Sequence, residues 1–552
     1  MKRFNGRELI SQMAALAVLA SLGVLVLLPT FYLISFTLTK WPEIYADVFA
    51  NPLIEDTNWQ QILRYLSLSF RVSIIAVALD FIFGIPLAYF LARKKFFGKA
   101  FLEDIVTLSL VIPTSGFGVA TLLTWQIIES DYVIPFINVP FLILIVHVAL
   151  TFPYVVRTLQ GKLEDLEPVF EQASRTLGAS AFTTFRKIIF PLSIPALFSG
   201  GVLAFARSLG ETGATMVVAS VHTTAPMAIV RWVSEFKLAT ASFLGFLLII
   251  TATVAILLVD FLMQRSGGLK TPGFPFFHRI EDKTLKVEKV LSGKPRWLKD
   301  IFSLSIVAVI VIVPIIVVLT SVGTYWFVDP DTGKFQGSVL YQLFGPPNYF
   351  STLMNATLIS VLVAAISTYI AACIAIPSVY LVKRYRMGKM LRYLLRIPLI
   401  VPSSALGLSV LLLWGPSGLN LATPGLWLII LTHIVFSVPV VVEPTIATYE
   451  GSGIPMYEGV ARTLGATPYD AIETVSLPML KRGILAGVIL SFTRSLGETG
   501  ATFLVMGSDV TVPPLVVNMV EALAIPAALF ASAYLIALSL VLLLLFRMVV
   551  RR

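Results

Sequence analysis

Arg207 and Glu211 stand four residues apart in the stretch RSLGETGAT, and the same stretch recurs at 494–502, where Arg494 and Glu498 take their places. Each copy lies in a long apolar run. A charged side chain at the centre of a bilayer costs at least about 2.5–3.5 kcal/mol on insertion scales, so such groups face one another, water or a cavity. On a continuous helix turning about 100° per residue, Arg207, Ser208, Glu211, Thr212 and Thr215 fall within an arc roughly 140° wide. Gly210 and Ala214 form an adjoining small face suited to close packing, as do Gly497 and Ala501. An ion pair with the base first contributes only about 0.2–0.5 kcal/mol to a helix, a weak reason to keep it. The spacing instead predicts that the two copies meet near a pseudo-twofold axis, with Arg207 reaching Glu498 and Arg494 reaching Glu211. Arg207, Ser208, Glu211, Thr212, Arg494, Ser495, Glu498 and Thr499 would then line a neutral gate on a translocation pathway. An ion pair that only fixes helix packing is the alternative.

Other reactive side chains are few. His147 and His433 each precede a proline, Pro153 or Pro439, by six residues. A role as ligand or proton relay competes with a hydrogen bond to a backbone carbonyl freed by the proline. Asp80 lies in an apolar run and has no acidic counterpart in the second half; it is either functional or paired. The four histidines are dispersed and Cys373 is the single cysteine, so neither a metal site nor a disulfide framework is expected. No Gly-Lys pair is followed by Ser or Thr, so the phosphate-binding loop pattern is missing and no catalytic residue is assigned.

The elements that must position these residues are membrane helices. The chain is 57% hydrophobic and 13% charged over 552 residues, with a mean hydropathy of +0.88, outside the range of soluble domains. Spanning runs fall near 10–38, 72–92, 104–127, 134–156, 192–219 and 241–263, then near 301–326, 354–382, 397–414, 425–442, 482–506 and 525–547. The net charge of +10 sits beside these runs, as the positive-inside rule requires, and does not suggest nucleic acid. Residues 265–299 carry nine Lys or Arg against three acids and form a polar connector.

The halves repeat. Glu171, Arg175, Gly178, Pro191, Arg207 and Glu211 recur as Glu458, Arg462, Gly465, Pro478, Arg494 and Glu498 at a constant offset of 287, and His147 and Pro153 recur at 286. An even number of spans per unit makes the repeats parallel. The expected architecture is all-α and polytopic, with about 12 transmembrane helices in two six-helix repeats. The first half is 1–263 with a core of about 60–263, the linker 264–300, and the second half 301–552 with a core of about 345–550.

Between the fourth and fifth spans of each half lies a polar loop, EQASRTLGASAFTTFRKIIFPL from Glu171 and EGVARTLGATPYDAIETVSLPML from Glu458. Each combines a short amphipathic helix, a glycine turn and a proline that opens the next helix. The pair resembles the EAA loop of permease subunits of ATP-binding-cassette importers: Ala173, Gly178, Ile188 and Pro191 fit the spacing, as do Ala461, Gly465, Val475, Leu477 and Pro478. Gln172, Ser174 and Phe190 depart from it in the first loop, Gly459 and Val460 in the second, and each glutamate sits one position early. RSLGETGAT is similar to the signature of molybdate, tungstate and sulfate permeases, whereas two fused halves are more familiar in ferric-iron and thiamine permeases.

The resemblance implies a type I importer permease in the prokaryotic plasma membrane, with both termini cytoplasmic. Glu171, Ala173, Arg175 and Gly178, with Glu458, Ala461, Arg462 and Gly465, would seat the loops in two ATPase subunits, expected as a homodimer. Those subunits would hold ATP and Mg, while this chain binds no cofactor. An extracytoplasmic binding protein would deliver an inorganic oxyanion (molybdate, tungstate, sulfate or phosphate); ferric iron or thiamine is the alternative cargo. A proton-coupled secondary transporter with parallel 6+6 repeats is the competing class.

Overall fold

Two prolines, Pro113 and Pro402, set the shape of the membrane region. A residue before proline is driven out of the helical conformation, and Ile112 and Val401 both take extended ψ values, 130° and 129°. The helices on either side therefore meet at 108° and 105°. The third and ninth spans, expected as single runs near 104–127 and 397–414, are sharply bent pairs.

The computed structural model describes residues 6–50, 56–126, 128–129, 131–265, 296–330 and 332–551. The expected linker lies outside them over 266–295. The first half comprises α1 (Gly6–Leu22), α2 (Leu28–Thr39), α3 (Trp59–Arg93), α4 (Lys99–Val111), α5 (Thr114–Thr124), α6 (Phe141–Asp165), α7 (Val169–Thr176), α8 (Phe190–Leu209), α9 (Gly213–Val218), α10 (Ala225–Ser234) and α11 (Leu238–Arg265). The second comprises α12 (Arg296–Val307), α13 (Val313–Thr324), α14 (Tyr349–Arg384), α15 (Gly388–Ile400), α16 (Ser403–Trp414), α17 (Leu426–Gly451), α18 (Ile454–Thr463), α19 (Leu477–Gly497), α20 (Gly500–Val505), α21 (Val512–Glu521) and α22 (Ile525–Arg551). Among the described residues one short hairpin, Val133–Ile134 against Val139–Pro140, interrupts the helical plan. Among the described residues, ten helices are long and apolar enough to cross a bilayer, or twelve if each bent pair counts as one span.

Length dictates reach. The 35 residues of α3 extend about 52 Å at 1.5 Å per residue, beyond a hydrocarbon core of about 30 Å. Its far end therefore stands clear of lipid, where Arg93 meets the polar loop. Its start is capped by Asn58, whose side chain accepts from the Gln61 amide at 3.0 Å.

The sequence halves are not separate packing units. Helices α3, α6 and α8 form one bundle, and α14, α17 and α19 its counterpart. Each bundle is wrapped by the outer helices of the other half: α1 and α2 pack on α14 and α16, while α12 and α13 pack on α3 and α5. One hydrophobic core joins Leu22, Leu33 and Ala228 to Val363, Leu408 and Ile434; the other joins Val72, Phe117 and Val148 to Val311, Val516 and Leu529.

Equivalent positions at the junction of the bent pair with the next helix carry inverted charges. In the first half Arg157 of α6 donates to Gln160 at 3.0 Å and to the Glu103 carbonyl and Thr107 hydroxyl of α4. In the second half Glu443 of α17, at the position of Arg157, accepts from Arg392 of α15 at 2.9 Å and Arg396 at 2.7 Å. Arg392 stands where the first half has Glu103. Glu443→Arg is expected to destabilise the chain by less than the about 3–5 kcal/mol of a fully buried pair, because Glu443 and Arg392 are each 24% exposed. Adding Arg392→Glu and Arg396→Glu is expected to restore the thermal midpoint in detergent; no restoration would show that the charges do not interact as a unit.

Candidate functional site

Each RSLGETGAT segment breaks its helix within the expected runs 192–219 and 482–506, where one continuous helix was expected. The chain leaves α8 at Leu209 and restarts at Gly213; it leaves α19 at Gly497 and restarts at Gly500. A break within such a run frees backbone groups that lipid cannot satisfy. The glutamate supplies the missing partner: Glu211 Oε1 accepts the Ala214 amide at 2.9 Å, and Glu498 Oε1 accepts that of Ala501 at 3.3 Å. In each case the carboxylate sits against the positive end of the restarting helix.

The charges of the two copies are arranged differently. Arg207 Nη1 lies 2.6 Å from Glu211 Oε2, with the arginine side chain 28% exposed and the carboxylate 3%. Among the described residues Arg494 has no carboxylate within ion-pair distance; its guanidinium lies over the Phe436 ring, 5.1 Å from the centroid. The expected cross-pairs, Arg207 with Glu498 and Arg494 with Glu211, are not formed. Arg207 nevertheless lies within electrostatic range of Glu498, and Arg494 within range of Arg207 and Glu498.

The copies do meet, through small residues. A Cβ built on Gly213 would stand 2.4 Å from Thr499 Oγ1, and one on Gly500 would stand 2.6 Å from Thr212 Oγ1. Only glycine fits opposite each threonine. Each bent pair presses its corner on the other half's break: Ser403 donates to the Gly210 carbonyl at 3.4 Å, and Thr114 and Thr499 share a hydrogen bond of 3.4 Å.

His147 and His433 bridge these breaks instead of bonding proline-freed carbonyls. His147 Nδ1 lies 2.7 Å from Ser208 Oγ, before the break, and Nε2 lies 3.0 Å from Thr215 Oγ1, after it. His433 does the same with Ser495 at 2.6 Å and Thr502 at 2.9 Å. Thr215 and Thr502 pass on to the carbonyls of Glu211 and Glu498 at 3.3 and 3.2 Å. At His433 a neutral ring with its proton on Nε2 satisfies the chain, with Ser495 donating to Nδ1, whereas Ser208 in the first half donates onward to Ser73 at 3.0 Å. The signal was in the sequence: the Ser and second Thr of the repeated motif are seven residues apart, and the histidine recurs with them. Asp80 is fully buried and accepts from Thr151 at 2.6 Å.

The polar loops lie at the far ends of α3 and α14. Glu171 pairs with Arg93 at 2.5 Å and accepts from Tyr89 at 3.3 Å, which ties α7 to α3. Glu458 accepts from Ser476, at the foot of α19. The glutamates therefore anchor the loops from behind, while Arg175 and Arg462 are exposed. Gly178 and Gly465 take φ values of +83° and +97°, the left-handed turn that glycine allows. Just before each turn an apolar side chain is presented outward, Leu177 at 89% and Leu464 at 84% exposure; neither figured among the expected loop residues. Ala173 is also exposed and Ala461 half-buried.

A family model described as binding-protein-dependent transport system inner membrane component matches residues 84–267. A probable sulfate transport system permease protein of Chlorella vulgaris is 32% identical over 234 residues, covering 38% of this chain and 85% of that protein. The sulfate transport system permease protein of Salmonella typhimurium is 31% identical, covering 41% of this chain and 83% of its own length. The molybdenum transport system permease protein of Escherichia coli is 35% identical over 175 residues, 30% of this chain and 75% of that protein.

The chain belongs to the binding-protein-dependent transport permeases. Each relative spans well under half of it, and 552 residues accommodate two such units fused. At the end of the permease opposite the loops, two further equivalent residues escaped the sequence reading. Phe236 and Leu523 follow α10 and α21 with φ of +62° and +58° and are exposed. A bulky residue in that conformation is strained, which marks both positions as candidates for contact.

The unequal ion pairs predict unequal variants. Glu211→Gln leaves the amide cap but strands Arg207, whereas Glu498→Gln removes no direct ion pair. Glu211→Gln should lower the melting midpoint of the purified permease more than Glu498→Gln; equal effects would mean that the difference between the copies carries no energy. His433→Ala should cost about 1–3 kcal/mol, the penalty for leaving buried hydroxyls unpartnered, measured by denaturant unfolding of the α-helical signal.

Proposed function

We propose that this permease forms the membrane pathway of an ATP-driven importer of an inorganic oxyanion, of the sulfate and molybdate class. The observation that carries the reading is the duplication of both devices in one chain: two glycine-turn loops of matched spacing and two braced helix breaks that meet between the halves. The relatives named as sulfate and molybdenum permeases support the cargo class.

The loops around Gly178 and Gly465 would each dock in one ATPase subunit, Leu177 and Leu464 entering an apolar cleft and Arg175 and Arg462 flanking it. The loop side and both termini would be cytoplasmic, in a prokaryotic plasma membrane. A binding protein would seat on the opposite side, over Phe236 and Leu523. ATP and Mg on the ATPase pair would draw the loops together, and α8 and α19, continuous with those loops, would transmit the movement to the breaks. Arg207, Ser208, Glu211 and Thr212, with Arg494, Ser495, Glu498 and Thr499, would form the gate. Two Arg–Glu sets sum to no net charge, so they neither trap nor repel an oxyanion strongly, and the binding protein would do most of the selecting.

The test is ATP hydrolysis by the complex in lipid nanodiscs, with binding protein loaded with sulfate, molybdate, tungstate, phosphate, ferric iron or thiamine. Selective stimulation by one oxyanion is expected; stimulation only by iron or thiamine would overturn the cargo class. Leu177→Asp with Leu464→Asp should abolish copurification of the ATPase subunits, and retained copurification would move the docking site elsewhere.

A further inference from the structure

On the loop side of the membrane, α1 packs on α14, and a groove of about 620 Å³ is lined by α1, the end of α14 and the start of α15. Leu16 and Leu19 of α1 face Leu381, Leu391 and Leu394 across it, and among its lining residues Arg386 alone is charged. The groove lies at the turn between α14 and α15, on the same side as the polar loops, because Lys383 beside it pairs with Glu450 at the end of α17.

The charge balance at this turn is unlike that of its counterpart in the first half. Six cations fall between Lys383 and Arg396: Lys383, Arg384, Arg386, Lys389, Arg392 and Arg396. Glu443 and Glu450 take Lys383, Arg392 and Arg396. Arg384, Arg386 and Lys389 are exposed, and among the described residues none of them has a carboxylate partner. In the first half Arg93 is held by Glu171, and Lys99 by Glu103 at 3.7 Å and Glu164 at 3.6 Å. Arg392 stands where the first half has Glu103, so that position contributes no acid to the turn of the second half.

We propose that this groove is a binding site for one anionic phospholipid, with an acyl chain between α1 and α15 and its phosphate on Arg386, Arg384 and Lys389. The two halves of the site ask for two different chemistries: an apolar channel takes hydrocarbon, and Arg386 on its lining, with Arg384 and Lys389 exposed beside it in the chain, takes a phosphate whose headgroup brings no compensating cation. Topological orientation by the positive-inside rule accounts for the cations alone and requires no bound lipid. The site also falls where the first half's α1 rests on the second half, so a lipid seated there would fill the junction of the exchanged helices.

The full-length permease in neutral detergent should retain phosphatidylglycerol over phosphatidylcholine of the same acyl chains by at least about tenfold in native mass spectrometry. Arg384→Gln with Arg386→Gln and Lys389→Gln should bring phosphatidylglycerol down to the phosphatidylcholine level, and Leu391→Trp, which fills the groove, should weaken both. All three cations are exposed and outside the ion pairs that join α15 to α17, and an unchanged elution profile of the triple variant confirms that it folds. Equal retention of both lipids by the unaltered chain, or unchanged phosphatidylglycerol binding by the triple variant, would overturn the proposal. Full displacement of phosphatidylglycerol by millimolar inorganic phosphate would also overturn it, by making the cluster a free-anion site.

Discussion

Two helices stop and restart within long apolar runs, and a backbone group left unsatisfied in apolar surroundings costs several kcal/mol because no water is present to replace the lost bond. The rest of the membrane region is arranged around closing those breaks. A glutamate can do so because its carboxylate accepts the restarting helix's amide with one oxygen and leaves the other for a cation; Glu211 uses both at once. The histidine then joins the segments on either side through Ser208 and Thr215, or Ser495 and Thr502. Glycines at 213 and 500 follow from the same constraint, since the threonine of the opposite break occupies the space a side chain would need. A charged pair in an apolar helix is costly as a stabiliser, but it is economical as a cap.

Fusion lets the two copies diverge. In a symmetric dimer of one permease unit, a change in one copy is a change in both. Here identical motifs carry different electrostatics: Arg207 is engaged by its own glutamate, while Arg494 rests on an aromatic face. The inverted charges at Glu103 and Arg157 against Arg392 and Glu443 extend the divergence to folding. Duplicated helices can pair with the wrong partner, and α4 packed on α17 would oppose Glu103 to Glu443, while α15 packed on α6 would oppose Arg392 to Arg157. Like-charge contact penalises both errors, and the exchange of outer helices then links the correctly paired bundles.

The helical, duplicated plan was legible because membrane helices follow from apolar length and the repeat from residue identity at fixed offsets. Both loops were legible from their glycines, whose left-handed φ is a local requirement. The bends at Pro113 and Pro402 were treated as interiors of spans, although a residue before proline resists the helical conformation. The break within RSLGETGAT was missed for a different reason: Gly-Glu-Thr-Gly is compatible with a helix, and the corners of the other half that press on Gly210 and Gly497 come from residues far away in sequence. The exchange of outer helices had no local signal, because any apolar helix face packs on any other, and the choice of neighbour is settled by the whole bundle. His147 and His433 were visible as a pair, but their partners are about sixty residues away and become neighbours only when α6 lies along α8.

Where movement can occur follows from which contacts are tied and which only touch. Within each half the histidine ties the end of the long helix to the start of the short one, so α8 with α9, and α19 with α20, move as bodies with a fixed elbow. Between the halves, Thr212 against Gly500 and Thr499 against Gly213 are contacts of small groups with no ion pair across them. Separating the two elbows breaks the Thr114–Thr499 and Ser403–Gly210 hydrogen bonds, whereas straightening either one would strip a carboxylate, buried at Glu211 and half-buried at Glu498, of its amide and a buried imidazole of its hydroxyls. In the proposed importer, a tilt of α8 and α19 driven by the loops would therefore open along the pseudo-twofold axis and carry Arg207, Glu211, Arg494 and Glu498 apart on otherwise unchanged supports.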